Sequence, residues 1–299
     1  MQIVGDEGEL YFHPSKRASI ASPMAMTGKE KTIPIFPYSS VLVPGGTEWV
    51  HIFEMRHRHM IYEVGDGLFG FCYFNQQQQK LALVGTLARI KSRRLLEDGR
   101  TFVVMEGVER FYLKQVTAEK PYFKAKVQTF SDYTENVELL NCLERDIFDD
   151  VRFNVKLMDL LFPLKNYTLS AAILENRPLL ETPGTRLVNM ADPKADMARR
   201  TRFSFAIMDM LQISSATKLL LLQDHVLEKR YAKFRRVLDK GSAYLRKELV
   251  DKGILTEEGL DELRRDVVRD VSDLETTSSA DWIPENYVNG QWQLAPTFF

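Results

Sequence analysis

Cysteine is nearly missing from this 299-residue chain: Cys72 and Cys142, 70 positions apart, are the whole supply. Two thiols so placed make neither a disulfide framework nor a four-cysteine zinc site. Each lies in an apolar run, as buried thiols in a reducing compartment do. No stretch reaches the roughly 18–20 apolar residues of a membrane-spanning helix. Excess charge is missing too: 40 Lys and Arg against 41 Asp and Glu leave a net charge of -1, so whole-chain basicity offers no handle on nucleic acid. There is no Gly-x-x-x-x-Gly-Lys-Ser/Thr, hence no phosphate-cradling loop. What is present, 44% hydrophobic and 27% charged residues, is the composition of an intracellular, soluble globular protein.

Residues 1–30 read as an arm, with short apolar patches at Ile3-Val4 and Leu10-Tyr-Phe12 and no period. A partly ordered leader fits, and so does the remnant of a targeting segment, which would suit a plastid rather than a cytoplasmic protein. From Thr32 the pattern becomes strand-like. Pro34 and Pro37 confine the first strand to an edge or a strand end, and Pro44-Gly45-Gly46 turns the chain. Glu54–Glu63 predicts a helix that buries Phe53, Met60, Ile61 and Val64, with Glu54 and Arg58 paired four apart. Gly65-Asp66-Gly67 ends it. Leu68–Phe74 predicts a strand buried on both faces, and Leu81–Ser92 another, interrupted by Gly85. Asp98-Gly99 predicts a type I′ hairpin turn. Thr101–Gly107 and Arg110–Thr117 read as separate strands, and Pro121–Phe130 as an alternating last one.

Beyond Asp132 the period turns helical. Helices are predicted at Val137–Leu160, stopped by Pro163, near Leu169–Leu174, at Ala195–Leu211, after a cap at Ser214 or Ser215, at Val226–Leu249, and from a Thr256 cap to about Leu274. The expected organisation is an arm at 1–30, a strand-built domain at 31–132, a helical domain at 133–275 with a linker near 163–194, and an aromatic tail at 276–299. In that tail Trp282, Tyr287, Trp292, Phe298 and Phe299 are too apolar for a solvated end, and they are the candidate partner-binding residues.

The stretch 31–132 resembles the substrate-binding N-terminal domain of Lon-type ATP-dependent proteases. The matching pieces are Pro34-Ile-Phe-Pro37, Val43-Pro-Gly45, His51-Ile-Phe-Glu54 with Arg56 and Arg58, Gly85-Thr86, and Asp98-Gly-Arg100 leading to Gly107-Val-Glu-Arg-Phe111. The resemblance implies an α+β architecture, a PUA-like β-pseudo-barrel followed by an α-helical bundle. It also implies a stand-alone relative, because too few residues follow Asp132 for an ATPase or protease module. The implied function is a non-catalytic protein-binding or scaffolding module that holds polypeptide segments or docks into a larger assembly.

Catalytic and metal readings are weak on residue chemistry. His57 and His59 would point about 200° apart on a helix, and His51 precedes the helix as a structural histidine. Cys72 lies between Phe71 and Tyr73, where a core thiol is expected and not a nucleophile. No catalytic residue, cofactor or metal is expected. The charge pattern is uneven: 13 basic against 6 acidic residues between Met197 and Lys252, then 3 against 10 between Gly253 and Glu285. Two antiparallel helices could neutralise each other across a shared face. Alternatively 197–252 offers a basic face to nucleic acid, RNA included.

Overall fold

The computed structural model describes residues 11, 26–165, 167–178, 192–211 and 213–269, together with the backbone of 287–288 and 291–292. Strands come first: β1 (Lys31–Tyr38), β2 (Thr47–Ile52), then helix α1 (Met55–Val64), β3 (Leu68–Asn75), β4 (Lys80–Leu81), β5 (Val84–Leu95), β6 (Thr101–Ala118) and β7 (Phe123–Thr129). The order β1-β7-β6-β5-β3 closes on itself because β1 also pairs with β3; β2 is attached to β6 and β4 to β3. The result is a five-stranded barrel with two additional strands attached, β2 on β6 and the short β4 on β3.

β1 changes neighbours half-way along. Lys31–Ile35 pair antiparallel with β7, and Ile35–Tyr38 pair parallel with β3. Each half therefore has a strand on one side only, which is where a residue without an N–H is tolerated, and Pro34 and Pro37 occupy one half each. β6 is one strand of 18 residues where the sequence reads as two. Leu87 faces Glu109 and Ala88 faces Gly107, so Val108 is an extra residue, a bulge that bends the strand without ending it. Gly107 is needed at the bend: a Cβ there would stand 2.1 Å from the Val43 carbonyl oxygen. Its N–H and carbonyl bond Gly46 and Gly45 at 3.0 and 2.8 Å, which fastens the Pro44-Gly45-Gly46 turn to β6.

The helices follow as α2 (Val137–Leu161), α3 (Ala171–Glu175), α4 (Pro193–Met210), α5 (Ser215–Gln223), α6 (Leu227–Asp251) and α7 (Glu257–Arg269), with a short 3-10 turn at Pro163–Lys165. Side-chain caps start them. Asn136 accepts from the Leu139 N–H, Ser214 from Thr217, and Thr256 from Gly259. The predicted extension of the last helix to Leu274 lies outside the described residues.

One apolar cluster fills the barrel's far side, with Phe36, Val50, Met60, Phe69 and Phe71. A larger one runs from Ile35, Val43 and Phe111 in the barrel into Ile147, Phe203, Leu222 and Tyr231 in the helices. A buried polar lock sits in the same seam. Arg110 of β6 donates to the carbonyls of Leu222 and Asp224 and to Asp132. Arg230 of α6 reaches the same Asp132 carboxylate at 2.6 and 2.8 Å and Ser204 at 2.8 Å, and it stacks 4.7 Å over Phe205. Barrel and helices are thereby joined through one carboxylate and two guanidinium groups.

Most of the arm and tail expectations fall outside the described residues. Tyr11 is described: it bridges to Ala82, and its hydroxyl accepts from Asn75 at 3.1 Å. Of the tail candidates, Trp282, Phe298 and Phe299 lie outside. Tyr287 and Trp292 are backbone partners in a short ladder between β8 (Tyr287–Val288) and β9 (Gln291–Trp292).

Candidate functional site

Strand β2 turns alternate residues to opposite sides. Val50 and Ile52 enter the core, while Trp49, His51 and, just beyond the strand, Phe53 face outward. β6 does the same with Phe102 and Val104 outward. Register places Trp49 opposite Val104 and His51 opposite Phe102. The His51 ring stacks on Phe102 at 4.6 Å and lies 6.2 Å from Phe53. The outcome is an exposed apolar face on the outward rows of β2 and β6: Trp49 is 51% accessible, Phe53 64% and Phe102 37%, and Met55, which follows at the start of α1, is 71% accessible. Scattered exposed apolar residues are ordinary, but a joined group of aromatic rings marks a contact surface. Within it the His51 Nε2 is buried and has no hydrogen-bond partner among the described residues, an unmet polar group in a face of rings.

Two further features shape the face. β2 has a strand neighbour on one side only, β6, so its other edge runs along the apolar face without a ladder partner among the described residues. The rim is charged. Lys91 pairs with Glu106 at 3.1 Å, Arg93 with Asp66 at 3.7 Å and Arg100 with Asp98 at 2.6 Å. An apolar centre, a polar rim and an open strand edge suit an extended chain with apolar side chains.

Several expectations change at this face. Phe53 is not buried under α1 but exposed, because α1 begins at Met55 and leaves Phe53 as an outward continuation of β2. Glu54 does not pair with Arg58: it accepts from Arg56 Nε at 2.7 Å, while Arg58 lies against Met55 Sδ at 3.3 Å and over Gly99. The hairpin at Asp98-Gly99 is present, but only Gly99 has positive φ (78°) and the Gly99 N–H bonds Leu96, so the turn is not type I′. The buried histidine of the cluster is His57, edge-on to Phe36 at 4.9 Å. His59 is exposed against Glu63 at 3.0 Å.

The remaining motif residues serve the barrel away from the face. Gly85 meets the Phe111 ring in the core, with room for no Cβ. Burial pushes the Cys72 thiol up to about 12, and its Sγ donates to the Ala82 carbonyl at 3.3 Å, so it stays protonated at neutral pH. Among the described residues no group of three His, Cys, Asp or Glu could hold a metal ion.

Residues 32–240 match the profile of the ATP-dependent protease La (LON) substrate-binding domain. The chain belongs to the Lon substrate-binding domain family. Within it, the Lon protease of Amoebophilus asiaticus (strain 5a2) is 31% identical over 84 residues, 26% of this chain and 10% of that protein. The matched part thus spans about a tenth of the length of that curated relative. Among solved structures, a Lon N-terminal domain protein from Xanthomonas campestris is 19% identical with a TM-score of 0.44, covering 69% of this chain and 98% of its own. The N-terminal domain of Mycobacterium avium complex Lon protease is 12% identical with a TM-score of 0.48, covering 71% and 98%. Among the described residues of this Lon-family chain, no helix is long and apolar enough to cross a membrane.

The basic stretch 197–252 is largely spent inside the helical part of the family fold. Arg199 and Arg200 engage Glu144 and Asp196, Arg230 engages Asp132, and Arg235 engages Asp146 at 2.8 Å. The expected neutralisation between the last two helices is carried by Arg246, 2.8 Å from both Glu257 and Asp261. Arg264 of α7 turns instead to Asp150 of α2.

Proposed function

We propose that this Lon-family chain holds extended polypeptide segments on the face of Trp49, Phe53, Met55 and Phe102, and performs no bond chemistry of its own. The barrel, 31–132, is the gripping unit and the helical part is its brace. The observation that carries this is the exposed aromatic face beside an open strand edge: apolar side chains pack on the rings while backbone groups extend the sheet along β2. Docking into a larger assembly would use the same face. The pairing of Arg199, Arg200 and Arg230 with acidic side chains away from solvent weighs against RNA as the partner, because a paired and buried guanidinium has little left to offer a phosphate.

The test is fluorescence anisotropy with a labelled, reduced and carboxymethylated model polypeptide. Replacing Phe53 and Trp49 together by Ser should weaken binding about tenfold or more, roughly 1.4 kcal/mol per decade, with little dependence on salt. Unchanged affinity in a folded double variant would overturn the proposal, and so would binding that vanishes steeply between 50 and 200 mM salt.

A further inference from the structure

A groove of about 400 Å³ opens among the helices, and none of the described residues that line it belongs to the barrel. That volume is within the roughly 300–1,000 Å³ of small-ligand pockets. Leu211, Ile213, Val237 and Leu238 make its walls apolar, and Tyr244, 63% accessible, adds an exposed ring. From Val237 to Tyr244 it follows α6 for about 10 Å, the length of about three residues of extended chain. Gly241 of α6 lies between them and lines the groove too. Glycine inside a helix is destabilising, and packing does not require it here. A Cβ added at 241 would meet only Asn154 Oδ1, at 3.5 Å, an ordinary contact. What the missing side chain leaves is room in the groove.

Two polar groups stand in these apolar walls with nothing to bond. Asn154 of α2 is 6% exposed. Its amide nitrogen donates to the Asp150 carbonyl and to Ser242 Oγ at 2.8 and 2.7 Å, which fixes the amide. Its Oδ1, beside Gly241, is left without a donor among the described residues, so it calls for an N–H. Lys240 lines the groove and has no acidic partner among the described residues, whereas Lys233, Arg235 and Arg246 of the same helix reach Asp224, Asp146 and Asp261. Asp239 precedes Lys240 in the chain and is not part of the lining. Ser214 and Thr217, the other polar lining residues, bond each other at 3.0 Å. Among the described residues the lining holds no Asp or Glu. The groove thus suits a ligand with a large apolar side chain, a neutral N–H and a negative charge. The last residue of a polypeptide carries all three, as side chain, amide and terminal carboxylate. A free amino acid fits less well, because its ammonium would enter beside Lys240 with no acid to meet it. We propose that the groove holds the C-terminal residue of a polypeptide. The carboxylate pairs with Lys240, the amide N–H donates to Asn154 Oδ1, and the side chain packs against Leu211, Ile213 and Val237. This site is separate from the barrel face and does not depend on it.

The probe is a short fluorescein-labelled peptide of Gly and Ser that ends in Phe with a free carboxylate, too polar elsewhere to occupy the barrel face. In anisotropy titrations with the full chain it should bind about tenfold more tightly, or better, than the same peptide ending in Phe-amide. Lys240→Met keeps the apolar stem and removes the charge, and it should bring the two affinities within about twofold of each other. Gly241→Leu fills the groove and should abolish binding. Its thermal midpoint should be no lower than wild type, since Leu is a far better helix residue than Gly, so the loss is not one of folding. The double variant Trp49→Ser, Phe53→Ser should bind the probe as wild type does. Equal affinity for acid and amide would overturn the proposal, as would binding indifferent to Lys240→Met or to Gly241→Leu, or no binding up to about 1 mM. Displacement of the probe by free phenylalanine or by decanoate, at or below the concentration at which the unlabelled peptide displaces it, would assign the groove to a small molecule and overturn the polypeptide assignment. Loss of the probe in the Trp49 and Phe53 double variant would put the C-terminus on the barrel face and overturn it as well.

Discussion

Asp132 lies fully out of water between Arg110 and Arg230, and its charge state governs the seam between barrel and helices. Burial alone would raise its carboxyl; the two guanidinium groups outweigh that and hold it below the ordinary carboxylate range. A group with a lowered folded pKa contributes stability that is complete above its unfolded value, about 3.9, and is lost as pH falls through the folded one. Asp132→Asn removes the carboxylate at every pH and strands two buried cations. Urea unfolding at pH 7 should show a loss of about 3–5 kcal/mol, and a midpoint within error of wild type would remove the lock from the account. Glu48 shows the opposite sign. Half-buried on β2, it accepts from Ser40 at 2.7 Å, but burial raises its carboxyl against the opposing help of Ser40, the Trp49 N–H and Lys218, with Asp209 adding to the rise. Its charged form is therefore a cost that is absent below about pH 4.3 and grows as pH climbs past that value. Glu48→Gln should raise the thermal midpoint at pH 7 and leave it unchanged near pH 3.5; destabilisation at pH 7 would show that the Lys218 attraction wins.

At the scale of elements, β6 does two jobs because it bends. Its first half carries β2 and the outward Phe102, and its second half carries β7 and the buried Arg110 and Phe111. The bulge at Val108 and the absent side chain of Gly107 make the change of direction. Gly107→Ala should cost about 1–3 kcal/mol, since the new Cβ meets a backbone oxygen that cannot rotate away. Equal stability in chemical denaturation would mean that the Pro44-Gly46 turn yields freely. The bulge explains why two strands are read from the sequence here. A glycine followed by a break in alternation is the same local signal for a strand end and for a bulge, and only pairing with β5 distinguishes them. The exposed position of Phe53 has a similar origin. A helix reading claims it by spacing, but the helix starts two residues later, and the strand's period of two sends the side chain outward.

At the scale of the whole molecule, one apolar cluster and one polar lock cross the seam. The barrel and helices should therefore unfold together. With Trp282→Phe and Trp292→Phe, the fluorescence of Trp49 in the barrel and the far-UV signal of the helices should give one coincident urea transition; two separated transitions would mean that the seam does not couple them.

Local chemistry sufficed for the kind of protein this is. Pro-Gly turns, alternating runs, capped helices and the order of motifs from Pro34 to Phe111 specify strands followed by helices and a Lon-like head, because turn and period signals act over a few residues. Tertiary structure alone decided where those residues would be used. The outward rows of β2 and β6 become one face only when their register sets His51 on Phe102. Likewise, Arg199 and Arg230 become partners of Glu144 and Asp132 only when the helices that carry them pack into the molecule. Contacts between residues 50 to 100 positions apart leave no periodic trace in the chain, so they had to be read from the packed molecule.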